Sequence, residues 1–136
     1  MSEFTVMRAV EAPDFTGDAP GAFIGYGRPM GAEQIAFNVR VLEPGMSHVP
    51  PGEDPAGGHS HATIEEIYFV LEGEITLKLG DEVVKLGERD AVLIPAATPR
   101  ATRNEGDATA AFAMVSVKVA DQRAESNFHE GFFPTH

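Results

Sequence analysis

The sequence predicts an all-β domain, an antiparallel barrel or double-sheet architecture, and three observations carry that prediction. About eight short runs rich in Val, Ile, Leu and Phe recur at near-regular spacing, with no convincing helical period. Turn pairs such as Glu72-Gly73 and Gly80-Asp81 separate the runs in the manner of hairpins. The chain also holds 14 glycines and 10 prolines in 136 residues, which favours short elements joined by tight turns. That length fits one domain with one core.

Residues 1–33 read as an irregular arm with one short strand, at 22–26, belonging to the same domain. Residues 34–119 form the barrel. Its first strand, 34–42, alternates cleanly: Ile35, Phe37, Val39 and Val41 share one face, Asn38 and Arg40 the other. A loop at 43–58 follows, with four prolines and four glycines, which exclude helix and central strand. Loops of this length in compact domains are often functional. Strands are then expected at 67–71, 75–79, 83–86, 91–94, 100–103 and 111–119. Both alternate faces of 66–71 are largely apolar, so one should meet the barrel interior and the other a second sheet or another subunit. Residues 120–136 form a tail that packs on the barrel or on a partner, with Phe128, Phe132 and Phe133 sealing an open edge.

The chain has no cysteine, which excludes disulfides, Cys-ligated zinc and thiol nucleophiles. Ten basic against 21 acidic residues give a net charge of −11, so nucleic acid and anionic membranes are unfavourable partners. No charged-then-apolar leader opens the chain and no apolar run approaches membrane-spanning length, so a cytoplasmic location is expected.

His59 and His61 are separated by one residue, which in an extended chain puts both imidazoles on one face. Glu66 stands just ahead of the next strand and can add a carboxylate oxygen. Two imidazoles and one carboxylate make the facial set of non-haem Fe(II) sites, and the same donors hold Mn, Ni or Zn. One divalent transition metal, of undetermined identity, is therefore expected on His59, His61 and Glu66.

The spacing continues beyond the pair. His59-x-His61, four residues, Glu66, six residues and Gly73 resemble the first motif of the cupins, with the stretch from Ile67 to Gly73 typical of it. The second motif has its expected order in 90–100: a strand, Pro95, small residues, Pro99, a ligand position, and then Asn104. The resemblance covers about 34–119 and implies a jelly-roll cupin barrel, a double-stranded β-helix. Arg89 and Ala97 stand where the family usually has glycine, and the opening glycine of the first motif is displaced by one residue. Arg100 occupies the position where the family usually supplies a third histidine ligand.

Arginine cannot ligate a cation. About 5 Å from a divalent ion, its charge is repelled by roughly 6–7 kcal/mol at an effective dielectric near 20. Three arrangements are open: Arg100 turned outward onto an acid, Arg100 inward with an anionic ligand bridging it to the metal, or an anion pocket with little metal. The second is expected, with Arg100 and Tyr68 contacting substrate, although a salt bridge for Arg100 and core packing for Tyr68 are the plainer alternatives. His48 reads as a solvated loop histidine, with a substitute ligand as the alternative; His129 and His136 read as surface or packing residues. The expected function is a metal-dependent enzyme of the dioxygenase, isomerase or decarboxylase type acting on a small anionic molecule, with Glu74 and Tyr68 the nearest acid–base candidates. The alternative is a module that captures or senses a small anion without turnover. A homodimer is expected from the two-sided apolar strand and from the family's habit.

Overall fold

The computed structural model describes residues 3–134, apart from the side chain of Arg123. Ten strands follow in chain order: β1 (Ala22–Gly25), β2 (Ile35–Leu42), β3 (Gly58–His61), β4 (Glu66–Glu72), β5 (Ile75–Leu79), β6 (Glu82–Leu86), β7 (Ala91–Ile94), β8 (Arg100–Arg103), β9 (Ala110–Val117) and β10 (Ser126–His129). Apart from a 3-10 turn at Ala9–Glu11 and one helical turn, α1 (Gln122–Glu125), the regular elements are β. Two five-stranded antiparallel sheets result, β1-β2-β9-β4-β7 and β10-β3-β8-β5-β6. The all-β jelly roll predicted from the sequence is the fold. No helix among the described residues is long and apolar enough to cross a membrane.

The local structure departs from expectation in two ways. The four-residue strands β3 and β10 and the helical turn α1 were not expected. β10 forms because its polar backbone completes the free edge of β3, pairing Ser126–His129 against His61–Gly58. Glu72-Gly73 is not a hairpin turn: β4 and β5 lie in different sheets, and the chain turns a corner between them. Gly73 is required there, with φ +69° and a Cβ position only 2.6 Å from the Thr109 carbonyl oxygen. Gly80-Asp81 is a true hairpin turn between β5 and β6.

The register decides what faces the interior. Asn38 pairs with Met114 and Arg40 with Phe112, while Tyr68 and Val70 on β4 pair with the same two β9 residues. Since Tyr68, Val70, Phe112 and Met114 belong to the buried core, the polar face of β2 looks inward. Its apolar alternates contribute to the outer face, where Ile35, Ile67, Phe69, Leu71, Leu93 and Val117 are exposed. Leu42, Val70, Leu77 and Ala110 close one end of the barrel. At the other end, where β4 begins and β9 finishes, the interior opens into a cavity of about 530 Å³.

Candidate metal centre

His59 and His61 enter the cavity from β3, whose approach to β8 depends on Gly58: a Cβ there would sit 2.6 Å from the Arg100 carbonyl oxygen. Ser60, between them, turns the other way and meets His129 Nε2 at 2.9 Å, so His129 has a packing role. Glu66 opens β4 with its Oε1 2.8 Å from His61 Nε2. One donor atom from each of His59, His61 and Glu66 lies within 4.8 Å of the others. The spacing in the sequence thus brings together the three residues it singled out.

Arg100 is opposite His59 in the β3–β8 ladder and fully buried. Its Nη1 donates to Glu66 Oε1 at 2.9 Å. Nη2 donates to the carbonyls of Pro95, Ala96 and Thr98, and Nε also donates to Thr98. The guanidinium is therefore inward but does not form part of the cavity wall. The substrate contact expected of Arg100 does not fit this placement, because the fork is engaged by Glu66 and backbone oxygens. The anion that compensates its charge is Glu66 itself.

The protonation states of His59 and Glu66 suit a cation, while the Arg100 charge beside Glu66 opposes one. Burial, opposed by the Glu66 charge and reinforced by His61, Arg100 and His129, pushes His59 down to about 4. At neutral pH that ring is uncharged and keeps a lone pair for a metal. Burial disfavours the Glu66 charge, but the His61 hydrogen bond and the charges of His61, Arg100 and His59 hold its carboxyl below the usual range. Donors on one ion with bonds of about 2.0–2.2 Å stand roughly 3–4 Å apart, so a small side-chain rotation closes this set. His61 Nδ1 is buried without a hydrogen-bond partner among the described residues, while Nε2 is held by Glu66. Two imidazoles and a carboxylate fit a divalent transition metal.

Tyr68 stands on the cavity wall, fully buried, with no partner for its hydroxyl among the described residues. Burial first, then the Glu66 charge against that of Arg100, raises it well above its ordinary value, so it remains an O–H donor. Glu74 is exposed and absent from the wall. His48 corrects the sequence reading: it is not a solvated loop residue but packs against Phe23, Tyr68, Phe112 and His59. Its Nδ1 accepts from Arg40 Nε at 3.2 Å. Sequence reasoning passed over Arg40 as well. The signal was present: a strand whose polar alternates include an arginine lines a cavity when its apolar alternates face outward. His136 lies outside the described residues.

A profile of the cupin domain matches residues 45–117, just over half of the chain. Among solved structures, a cupin protein from Bacteroides fragilis, BF4112, superposes with a TM-score of 0.68 at 21% identity, covering 90% of this chain and 91% of that one. The polyketide cyclase RemF from Streptomyces resistomycificus superposes at 0.67 with 20% identity, covering 84% and 79%. At these identities the likeness is one of fold. MJ1618, an uncharacterised protein of Methanocaldococcus jannaschii, is 39% identical over 49 residues, and the match spans 36% of this chain and 39% of that one.

Proposed function

This chain belongs to the cupin family, and from that premise we propose a metal-dependent enzyme acting on a small anionic molecule bound in the barrel, by dioxygenation, isomerisation or decarboxylation. The observation that carries the reading is the cluster of His59, His61 and Glu66 on the wall of a cavity large enough for a small molecule. His59, His61 and Glu66 would hold the ion, and a divalent ion there supplies Lewis acidity toward a ligand oxygen. Arg100 keeps Glu66 ionised and fixes its orientation, which makes it a positioning residue. The Tyr68 hydroxyl, desolvated and without a partner, is available to donate to an oxygen of the bound molecule.

The anionic character of that molecule follows from the wall. Among the described residues its charged side chains are Arg28, Arg40, Lys118 and Glu66, three cations and one acid in a chain of net charge −11. With Glu66 turned to a cation, the cavity attracts anions although the exterior repels them. Capture without turnover is the second reading. It is favoured by the shortage of proton-transfer groups, since Glu66 is the sole carboxylate on the wall among the described residues and Tyr68 serves only as a donor.

Cobalt(II) substitution tests the site. The loaded protein should show visible absorption bands that shift when acetate or benzoate is added, because an open metal position accepts the carboxylate. His61→Ala and Glu66→Gln should abolish the bands. Bands indifferent to carboxylate, or equally intense in both variants, would remove the basis of the proposal.

A further inference from the structure

Arg40 is a buried cation without an adjacent anion. It is 5% exposed, yet no carboxylate among the described residues lies within ion-pair distance of it. Asp14 is the acid whose charge reaches it, and that carboxylate is occupied by Thr16 and the Phe23 amide. Nη1 of Arg40 donates to the Ala22 and Val41 carbonyls at 2.9 and 3.1 Å, and Nε donates to His48 Nδ1. Nη2 has no acceptor among the described residues, and Arg40 forms part of the cavity wall. A guanidinium kept in low dielectric without a counter-ion is costly unless a ligand completes it.

His48 extends the same donor surface. Because Nδ1 accepts from Arg40, the hydrogen of the neutral ring must reside on Nε2. Phe23 stacks on the ring with centroids 6.1 Å apart and planes 20° apart, which fixes its orientation. The His48 ring meets that of His59 edge-on, with centroids 6.3 Å apart, so this donor surface adjoins the His59, His61 and Glu66 cluster.

We propose that Arg40 Nη2 and His48 Nε2–H form the anion subsite of the cavity. They hold the carboxylate of a monocyclic, largely apolar acid whose ring packs against Phe23, Val49 and Met114. His59, His61 and Glu66 line the same cavity beside this subsite. The inference rests on reading the cavity as the ligand site, and requires no metal.

Benzoate and its neutral counterpart benzyl alcohol are the probes, titrated into the full metal-free chain by calorimetry and by nitrogen-15 NMR. Benzoate should bind about tenfold or more tightly than benzyl alcohol, and Arg40→Gln should weaken it by a similar factor, since a charge-assisted pair is lost. In the wild type, which needs no variant to fold, the Arg40 Nε and His48 Nε2 signals should shift on addition of benzoate. The proposal is overturned by equal benzoate affinity in folded Arg40→Gln, by bound benzoate that leaves both signals unmoved, or by no binding at millimolar concentration. A chain that binds benzoate in this way but takes up no metal supports the subsite and removes only the metal reading.

Discussion

Arg100 has no water to fall back on. It is fully buried, joined to Glu66 and to three carbonyl oxygens of 95–98. Arg100→Met would leave a buried carboxylate with His61 alone as partner and those carbonyls without their guanidinium donors, at a cost of about 3–5 kcal/mol. Arg100→Lys keeps the charge but offers one point in place of a planar fork, so an intermediate loss is expected. Denaturant unfolding of the metal-free variants measures both, and a loss under about 1 kcal/mol for Arg100→Met would contradict the assigned role. The ligand residues were legible because their spacing is local: i and i+2 on a strand share a face wherever the strand is placed. The target of Arg100 was not, because position 100 fixes only its ladder partner, His59, and not which acceptors surround the guanidinium. Arg40 and His48 were hidden for a related reason: the inward placement of Arg40 depends on the pairing of β2 with β9, about 70 residues away, and that of His48 on its amide bond to the Thr102 carbonyl of β8.

At the level of elements, the family's turn chemistry leaves a trace that can be measured. Arg89 replaces a usual glycine in the bend before β7 and is the non-glycine residue with positive φ, 70°, among those described. The backbone pairs on either side, Arg89 N to Val70 O and Val70 N to Asp90 O, hold it there. A left-handed conformation costs an L-residue about 1–2 kcal/mol, and the extra freedom of an unfolded glycine offsets about 0.4–1 of that. Arg89→Gly should therefore raise stability by roughly 0.5–1 kcal/mol, a few degrees in Tm for a chain of this size. A lowered melting temperature would contradict this account of the bend. The strands that alternation announced appear within a residue or two of their expected limits. β3 and β10 escaped because Gly58–His61 and Ser126–His129 are largely polar and carry no apolar alternation, and β10 owes its existence to the edge it completes.

For the molecule as a whole, the outer face of the β1-β2-β9-β4-β7 sheet is unfinished in a single chain. Ile67, Phe69, Leu71 and Leu93 are exposed side by side on β4 and β7, with Ile35 and Val117 further along the sheet. A flat apolar patch on so acidic a protein is best covered by a second copy through a two-fold contact. Sedimentation should give a dimer for the wild type and a monomer for Phe69→Lys with its fold retained; a wild-type monomer at all practical concentrations would contradict this. The cavity opens away from the closed end of the barrel, so such a dimer need not obstruct it. The central claim is that the barrel is organised around an ion held jointly by β3 and β4. Its most direct test is the metal content per chain, by elemental analysis, of protein purified without added metal or a histidine tag. The account predicts about one divalent transition metal per chain, lost in both His59→Ala and Glu66→Gln while the β-sheet signal remains near that of the wild type. Metal content unchanged in both variants, or absent from wild type even after incubation with Fe(II), Mn(II), Ni(II) and Zn(II), would contradict it.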